Sequence, residues 1–262
     1  MSERIQAVAS IALEAGKAIM TVYQDEIMVS RKEDNSPLTQ ADLAANDIIT
    51  SGLKELVPEL PVISEESAAI RFEKRKKWDR YWLVDPLDGT REFIKRNGEF
   101  SVNIALIEHH QPVLGVVYAP ALDLLFFAAK GEGAYRRQGN QAGQLIHARA
   151  FDRTRVTIAG SRSHAGDRLL RFLNRIGPHH LISMGSSLKI CLVAEGRADV
   201  YPRLGLTSEW DTAAAQCVLE EAGGRLVGTD GYALRYNTKD SLLNPEFFAV
   251  GATSPDWSKF LD

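Results

Sequence analysis

Two aspartates, Asp85 and Asp88, lie three residues apart in the segment DPLDGT, directly after the apolar run at residues 81–84. The run favours a β-strand, so Asp85 is expected at a strand end, where site residues are often placed. Pro86 fixes its own φ and Gly89 permits a positive φ, so the chain can turn sharply here. We therefore expect the two carboxylates to converge on one side of a tight turn.

The residues after the second aspartate add backbone donors. Thr90 is expected to cap a short helix that continues through Phe93 and Ile94. The amides of Gly89 and Thr90 would then point from a helix N-terminus toward the carboxylates. Such a position suits a phosphate group, because unpaired N–H groups and the helix dipole both favour an anion.

Two further acidic segments adjoin apolar elements. Glu65 and Glu66 follow the run PVIS, and Asp211 opens a predicted helix in EWDTAAA. Carboxylates that are forced together repel unless one is protonated or a cation lies between them, and oxygen ligands suit a hard cation such as Mg²⁺. The combination predicts a metal site. The alternatives are an ordinary Asp-Gly turn, a solvated Glu65–Glu66 loop and a helix cap at Asp211.

A DxDGT motif at a strand end is typical of haloacid-dehalogenase-type phosphatases, in which the first aspartate is the covalent nucleophile. In this chain the spacing is DxxDGT, with a proline inside. The extra residue would rotate the second carboxylate relative to the first. The spacing therefore favours water activated by a metal over an aspartyl-phosphate intermediate.

The elements that position these acids differ between the two halves of the chain. Residues 1–24 predict an amphipathic helix and residues 39–56 a second one, followed by the strand-like runs PVIS, YWLVD, SVNIALIE, PVLGVVYAP and LLFFAA, which short turns would pair antiparallel. From Arg155 onward strands and helices alternate, with helices at about 165–176, 187–195 and 211–222. This alternation predicts a sheet covered by helices, and the length of the chain predicts two subdomains, at 1–150 and 151–262.

Composition narrows the class of protein. The 262 residues carry 34 acids and 31 bases, a net charge of −3, which is too small to attract nucleic acid or membrane by bulk charge. Cys191 and Cys217 are expected to be buried thiols, and the run RFEKRKKW at 71–78 a solvated helix face. No signal-peptide pattern or membrane-spanning stretch is expected. The predicted location is the cytoplasm, with peripheral association with the inner membrane left open.

Three segments carry a resemblance to a known family. SEES at 64–67, WLVDPLDGT at 82–90 and WDTAAA at 210–215 resemble the signature segments of the Mg²⁺-dependent, lithium-sensitive inositol monophosphatase superfamily. DNSPLTQAD at 34–42, REFIKRNGEFSVNIALI at 91–107, SRSH at 161–164 and GSSLK at 185–189 are most similar to its 3'(2'),5'-bisphosphate nucleotidase branch. The resemblance implies an inositol monophosphatase-like fold, an α/β (α+β) sandwich of alternating helix and sheet layers in which the two subdomains share one phosphatase active site.

The resemblance also implies a set of metal ligands. Glu65, Asp85 and the carbonyl oxygen of Leu87 would bind a first Mg²⁺, and Asp85, Asp88 and Asp211 a second. A third, weaker Mg²⁺ near Glu65 is a further feature of the superfamily.

Catalytic and substrate-binding roles follow from the same resemblance. Asp42 and Thr90 would orient and deprotonate the attacking water, together with the metal ligand Glu65. The residues expected to bind substrate are Gly89, Thr90, Ser161, Arg162, His164, Ser186, Lys189 and Arg203.

The expected activity is Mg²⁺-dependent hydrolysis of the 3'-phosphate of adenosine 3',5'-bisphosphate (PAP) to AMP and phosphate. The 3'-phospho sulfonucleotide of sulfate assimilation (PAPS), which would give APS, is a further expected substrate. The alternatives are an inositol or sugar phosphate monophosphatase with the same metal site, and a non-catalytic protein that binds Mg²⁺ or a nucleotide. The expected partner is a small nucleotide rather than nucleic acid, and monomer and homodimer both stay open.

Overall fold

The computed structural model of the chain describes residues 2–25, 29–31, 37–67, 69–161 and 166–261. It begins with helix α1 (Glu3–Gln24), the short strands β1 (Val29–Arg31) and β2 (Pro37–Thr39), and helix α2 (Gln40–Leu56). The two strands pair antiparallel as a small separate sheet. Thr39 caps α2, because its side-chain oxygen accepts a hydrogen bond from the amide of Ala41.

The first large sheet contains seven strands in the order in which they follow along the chain. The first two, β3 and β4, run parallel, and all later neighbours pair antiparallel. The antiparallel hairpins confirm the pairing predicted from the short turns. The strands are β3 (Val62–Ser64), β4 (Arg80–Asp88), β5 (Ser101–Glu108), β6 (Gln111–Ala119), β7 (Leu124–Ala129), β8 (Gly133–Gln138) and β9 (Gln144–Ile146).

The second large sheet has five strands in the order β11-β10-β12-β14-β13 and is mixed, with β10 parallel to both its neighbours. Its strands are β10 (Thr157–Ser161), β11 (His180–Met184), β12 (Val200–Arg203), β13 (Arg225–Gly228) and β14 (Phe247–Val250). The helices that follow α2 are α3 (Phe72–Arg75), α4 (Thr90–Ile94), α5 (Asp167–Ile176), α6 (Leu188–Ala194) and α7 (Ala213–Glu221). A 3₁₀ turn at Glu209–Asp211 precedes α7.

Alternating residues of β4 divide the sheet between two cores. Trp82 and Val84 pack with α1 and α2 on one face, and Tyr81 and Leu83 pack on the other face with α6, α7 and strands of the second sheet. Helix α5 covers the outer face of the second sheet, where Phe172 packs. The order helix, sheet, helix, sheet, helix confirms the layered fold.

Helix α7 approaches the first sheet very closely. A Cβ placed on Gly115 of β6 would lie 2.2 Å from the carbonyl oxygen of Ala214, so only glycine allows this contact. Cys217 of the same helix and Cys191 of α6 are buried free thiols, as predicted. Because α6 and α7 join both sheets in one core, the division into subdomains at residue 150 stays a prediction.

Three local expectations are wrong. Thr90 is the first residue of α4 rather than its cap, and Gly89 occupies the cap position with a φ of 90°. Helix α7 begins at Ala213 rather than Asp211. The run RFEKRKKW is not uniformly solvated, because Arg75 is 2% exposed. Strands β8 and β9 were not predicted, because their half-exposed polar residues give no apolar run.

Helix α1 is long and apolar enough to meet a length and composition criterion for a membrane span, with a mean hydropathy of 1.3 over 18 residues. The sequence pattern predicts no stretch of this kind. Its buried face carries seven residues, among them Ile5, Val8 and Ile19. These side chains pack in the core with α2 and the first large sheet, as in the core helix of a globular fold.

Candidate active site

Glu65 and Asp85 leave neighbouring parallel strands side by side. Ser64 of β3 pairs with Val84 of β4, so the next residue of each strand emerges at the same edge of the sheet. The amide of Glu65 donates to the carbonyl oxygen of Val84 at 3.2 Å, which extends the pairing by one step. The parallel start of an otherwise antiparallel sheet therefore brings these two acids together.

A bulge aims Asp88 to the same side as Asp85. In a regular strand, residues three apart point to opposite faces. Here Asp85 pairs with Asn103 and Asp88 with Ser101, so β4 contains one residue more than β5 between these pairs. Pro86 lies inside the bulge, where a missing amide donor is tolerated. The amide of Leu87 donates to Asp85 Oδ1 at 3.0 Å, which holds this carboxylate against the turn.

Asp211 reaches the same place from the C-terminal half. It ends the 3₁₀ turn before α7, and its Oδ2 accepts a hydrogen bond from the amide of Ser208 at 2.9 Å. One carboxylate oxygen from each of Glu65, Asp85 and Asp211 lies within 4.8 Å of the others. Asp211 can therefore cap the turn and also bind a metal, because its carboxylate accepts the Ser208 hydrogen bond and also faces Glu65 and Asp85.

Asp42 and Thr90 lie beside this cluster. Asp42 is 2% exposed, and its Oδ2 accepts hydrogen bonds from the amide of Thr39 at 2.8 Å and from the hydroxyl of Thr39 at 2.6 Å. Its other oxygen, Oδ1, lies 3.4 Å from Thr90 Oγ1. Thr90 Oγ1 is also 3.4 Å from the carbonyl oxygen of Leu87. The N-terminal turn of α2 therefore fixes a buried carboxylate next to a hydroxyl at the start of α4.

The segment 185–187 joins the second sheet to these acids. It follows β11, and the amide of Ser187 donates to Asp88 Oδ2 at 2.5 Å. Gly185 is required by a close approach, since a Cβ there would lie 2.4 Å from the carbonyl oxygen of Glu99. Ser187 Oγ donates to Asn103 Oδ1 at 2.7 Å and lies 3.0 Å from Ser101 Oγ. These contacts fix the segment directly against β5.

The buried carboxylates repel one another, and a bound cation would reduce this repulsion. Burial, and then the nearby carboxylates, raises the pKa of Asp85 well above its ordinary value. Burial raises the pKa of Asp88 to about 6, although Lys189 opposes this. Burial and the neighbouring Asp88 raise the pKa of Asp211. Clustered carboxylate oxygens of this kind are the donor set that a hard divalent cation prefers, so the residues present fit such an ion.

Lys189 and Arg203 bring positive charge near the acids. Lys189 of α6 is 6% exposed, its Nζ donates to the carbonyl oxygen of Ser186, and it lies 5.3 Å from the ring centre of Tyr201. Burial lowers the pKa of Lys189 to about 8, with Asp88 opposing. Arg203 at the end of β12 donates to the carbonyl oxygen of Leu206.

A cavity of about 260 Å³ connects the acids with these cations. Most of the predicted site residues line it, namely Glu65, Asp88, Gly89, Thr90, Ser161, Ser186, Lys189, Arg203 and Asp211. Asp85 and Leu87 lie buried behind it in the bulge. The predicted residues Arg162 and His164 lie outside the described residues.

Several lining residues were not predicted. They include Arg91, Glu92, Ser187, Tyr201 and Thr207. Ser187 lies in the segment GSSLK at 185–189, so the resemblance of that segment could have identified it as a site residue. Tyr201 resembles any other residue of a buried strand, so no sequence signal distinguishes it.

The sequence and the fold match one family. The inositol monophosphatase family matches residues 1–253. The protein named 3'(2'),5'-bisphosphate nucleotidase CysQ of Salmonella typhimurium is 48% identical over 245 residues, covering 93% of this chain and 98% of the relative. The crystal structure of CysQ from Bacteroides thetaiotaomicron, described as a bacterial member of the inositol monophosphatase family, is 40% identical with a TM-score of 0.84, covering 96% of this chain and 98% of that one. An IMPase from Thermotoga maritima is 24% identical with a TM-score of 0.82, covering 99% of this chain and 96% of that one, and supports the fold alone. This chain belongs to the inositol monophosphatase family.

Proposed function

We propose that this protein is a 3'(2'),5'-bisphosphate nucleotidase that hydrolyses the 3'-phosphate of adenosine 3',5'-bisphosphate to AMP and phosphate. The observation that carries the proposal is the cavity that has a cluster of carboxylates beside the cationic side chains of Lys189 and Arg203. A substrate with two phosphates needs both features, because one phosphate reacts and the other must be held. The relatives that carry the name of this activity support the same conclusion.

The carboxylates would hold Mg²⁺. Glu65, Asp85, Asp88 and Asp211 would provide side-chain oxygens, and Leu87 its backbone carbonyl. Bound there, Mg²⁺ would lower the pKa of a water molecule and neutralise the oxygens of the phosphate that reacts. A pair of ions, with a third near Glu65, is part of the proposal.

Asp42 and Thr90 would handle the proton of the attacking water. Thr39 holds one oxygen of Asp42 with two hydrogen bonds, so the other oxygen faces the Thr90 hydroxyl in a defined orientation. A water hydrogen-bonded to Thr90 would then lose its proton toward Asp42. Because both groups are set by helix starts, α2 and α4, the pair is in place before substrate binds.

The second phosphate would lie on the other side of the cavity. Lys189 and Arg203 supply positive charge there, and Ser161 and Ser186 supply hydroxyl groups. Gly89 and Thr90 would contact the reacting phosphate from the opposite wall. Arg162 and His164, which the sequence predicts to contact the substrate, stay part of the proposal. The 3'-phospho sulfonucleotide PAPS has the same 3'-phosphate and an anionic phosphosulfate in place of the 5'-phosphate, and is the second substrate we propose.

Two further features belong to the proposal. The segments 1–150 and 151–262 would act as subdomains, the first with most metal ligands and the second with Asp211 and the cationic side chains. The cytoplasm is the proposed location, since both thiols are free and buried.

The test is phosphate release from adenosine 3',5'-bisphosphate and from inositol 1-phosphate, measured side by side with Mg²⁺ and with EDTA. The expected result is strong, EDTA-sensitive preference for the nucleotide. Preference for inositol phosphate would keep the metal site and overturn the substrate assignment. Nucleotide binding by calorimetry without release of phosphate from either compound would support a binding protein instead.

A further inference from the structure

Arg75 is a buried arginine outside the cavity. It ends the short helix α3, its side chain is 3% exposed, and its guanidinium lies 4.9 Å from the ring centre of Phe72. Its Nε donates to the carbonyl oxygen of Ile70 at 3.2 Å. Both terminal nitrogens instead reach a distant loop, at residues 237–240. A buried guanidinium with this many partners is costly to replace, because each partner would lose a hydrogen bond and the buried oxygen of Asn237 would be left unpaired.

The main partner of Arg75 is Asn237. Arg75 donates to Asn237 Oδ1 at 2.5 Å, and Asn237 Nδ2 donates back to the carbonyl oxygen of Arg75 at 2.7 Å. Further bonds from the guanidinium reach the carbonyl oxygens of Lys239, at 3.1 Å, and of Asp240. Asn237 is 1% exposed and has a φ of 57°, so its backbone is held in the left-handed region. The two residues form a reciprocal pair that fixes this loop.

The loop in turn holds the turn that carries Asp211. The amide of Asn237 donates to Glu209 Oε2 at 2.8 Å, and Glu209 is 1% exposed. The amide of Glu209 donates to the carbonyl oxygen of Leu242 at 2.8 Å, in the same loop region. Glu209 begins the 3₁₀ turn that Asp211 ends. The position of the Asp211 carboxylate thus depends on contacts that begin at Arg75.

We propose that Arg75 is a positioning residue that acts through Asn237 and Glu209 to fix Asp211 for metal binding. The inference rests on the proposed role of Asp211 as a metal ligand. It connects the segment at residues 69–78, none of which lines the cavity, to the site. Groups that orient metal ligands change metal affinity by about 10- to 100-fold when removed.

The experiment measures metal affinity without substrate. Mn²⁺, which prefers the same oxygen ligands, is titrated into the full-length protein, and the free ion is followed by electron paramagnetic resonance. Arg75→Met is expected to weaken Mn²⁺ binding by about tenfold. Asn237→Gly is expected to do the same, because glycine keeps the left-handed backbone and the amide donated to Glu209 while the side-chain link to Arg75 is lost. Circular dichroism confirms that each variant is folded at the temperature used.

The effects of Arg75→Met and Asn237→Gly on Mn²⁺ affinity should not be additive. If Arg75 acts through Asn237, the double variant binds Mn²⁺ about as weakly as the weaker single variant. Additive losses would mean that the two residues act separately, and would overturn the proposed path. Where Arg75→Met does not fold, Arg75→Lys keeps the charge, loses the forked hydrogen bonds and tests the same step.

A matched control separates positioning from stability. Arg149 donates to both carboxylate oxygens of the buried Asp199, at 2.8 Å and 2.6 Å. This pair lies at the start of β10 and β12, whereas the cavity lies at their other ends, at Ser161 and Arg203. Arg149→Met should lower the melting temperature and leave Mn²⁺ affinity unchanged.

The positioning role of Arg75 and the metal role of Asp211 can fail independently in this experiment. Unchanged Mn²⁺ affinity in Arg75→Met and Asn237→Gly, or an equal loss in Arg149→Met, would overturn the positioning role. Asp211→Asn is the reference for the site itself. If that variant binds Mn²⁺ as tightly as the original chain, the proposed metal role of Asp211 fails, independently of Arg75.

Discussion

Asp88 and Ser187 are joined by a 2.5 Å hydrogen bond from the Ser187 amide to Asp88 Oδ2, although 99 positions separate them in the chain. Asp88 ends β4 of the first sheet, and Ser187 follows the edge strand β11 of the second. Lys189 lies two residues further on. Together with the contacts of Ser187 Oγ to β5, this bond holds one of the cationic side chains of the cavity at a fixed distance from the carboxylates.

Replacing Asp88 by asparagine tests the carboxylate cluster. Asp88→Asn keeps an oxygen that can accept the Ser187 hydrogen bond but removes one negative charge from the site. We expect kcat to fall by about 100-fold or more, because charge stabilisation of the transition state is lost. Steady-state kinetics under saturating Mg²⁺ measures this. Asp79→Asn, at an aspartate whose side chain is 83% exposed, is the control and should keep the original rate. A near-normal rate in Asp88→Asn would contradict the metal assignment.

The metal-free protein should lose stability as the pH rises. The folded pKa of Asp88, about 6, is above its ordinary value of 3.8, so the folded state binds the proton more tightly than the unfolded state. Tighter proton binding by Asp88 stabilises the folded state fully below about pH 4, and this stabilisation is lost as the pH passes through about 6. Asp88→Asn should remove the part of this loss that comes from Asp88, about 3 kcal/mol, while the raised pKa values of Asp85 and Asp211 leave the rest. The comparison is the free energy of unfolding of both proteins in EDTA at several pH values. A difference that does not grow with pH would count against the raised pKa.

Thr90→Ala should affect turnover more than metal binding. The Thr90 hydroxyl lies between Asp42 Oδ1 and the carbonyl oxygen of Leu87, where it can orient a water. We expect kcat to fall about 100-fold, while Mn²⁺ affinity changes little. Thr90→Ser keeps the hydroxyl and should retain most of the activity. If Thr90→Ala instead lowers the melting temperature and keeps the specific activity, the role of Thr90 is structural.

A methyl group on Gly185 should displace the segment that bonds Asp88. The added Cβ would meet the carbonyl oxygen of Glu99 at 2.4 Å, so the backbone must move. We expect Gly185→Ala to lower kcat by about tenfold, since the Ser187 amide moves with it. Gly205→Ala is the matched control, because no heavy atom lies within 4 Å of its added Cβ. Equal activity of the two variants would show that the contact is not needed.

Arg203 should distinguish substrates with two phosphates from those with one. Its side chain lines the cavity on the side of Lys189. Arg203→Gln should raise KM for adenosine 3',5'-bisphosphate by about tenfold, the cost of a hydrogen bond to a charged group. KM for inositol 1-phosphate should change much less. Equal losses with both compounds would place Arg203 at the reacting phosphate or assign it a structural role.

The sequence by itself determined the layered fold and the acids of the candidate site. Apolar periodicity indicated α1 and α2, apolar runs of β-favouring residues indicated the strands β4 to β7, and the three acidic segments marked Glu65, Asp85 and Asp211. These features are local, because each depends on residue types at fixed short spacing. The helix starts at Thr90 and before α7 differ from the prediction, because caps depend on backbone geometry that several residue types satisfy.

Only the tertiary structure decided how these pieces meet. The bulge that turns Asp88 toward Asp85 is a property of the pairing between β4 and β5, and neither strand shows it alone. The burial of Arg75 depends on a loop 162 positions away. A charged side chain in a basic run reads as solvated until its partners are known, because only distant hydrogen bonds make its burial favourable. For the same reason the cavity, which both halves of the chain line, exists only once the two sheets have packed around α6 and α7.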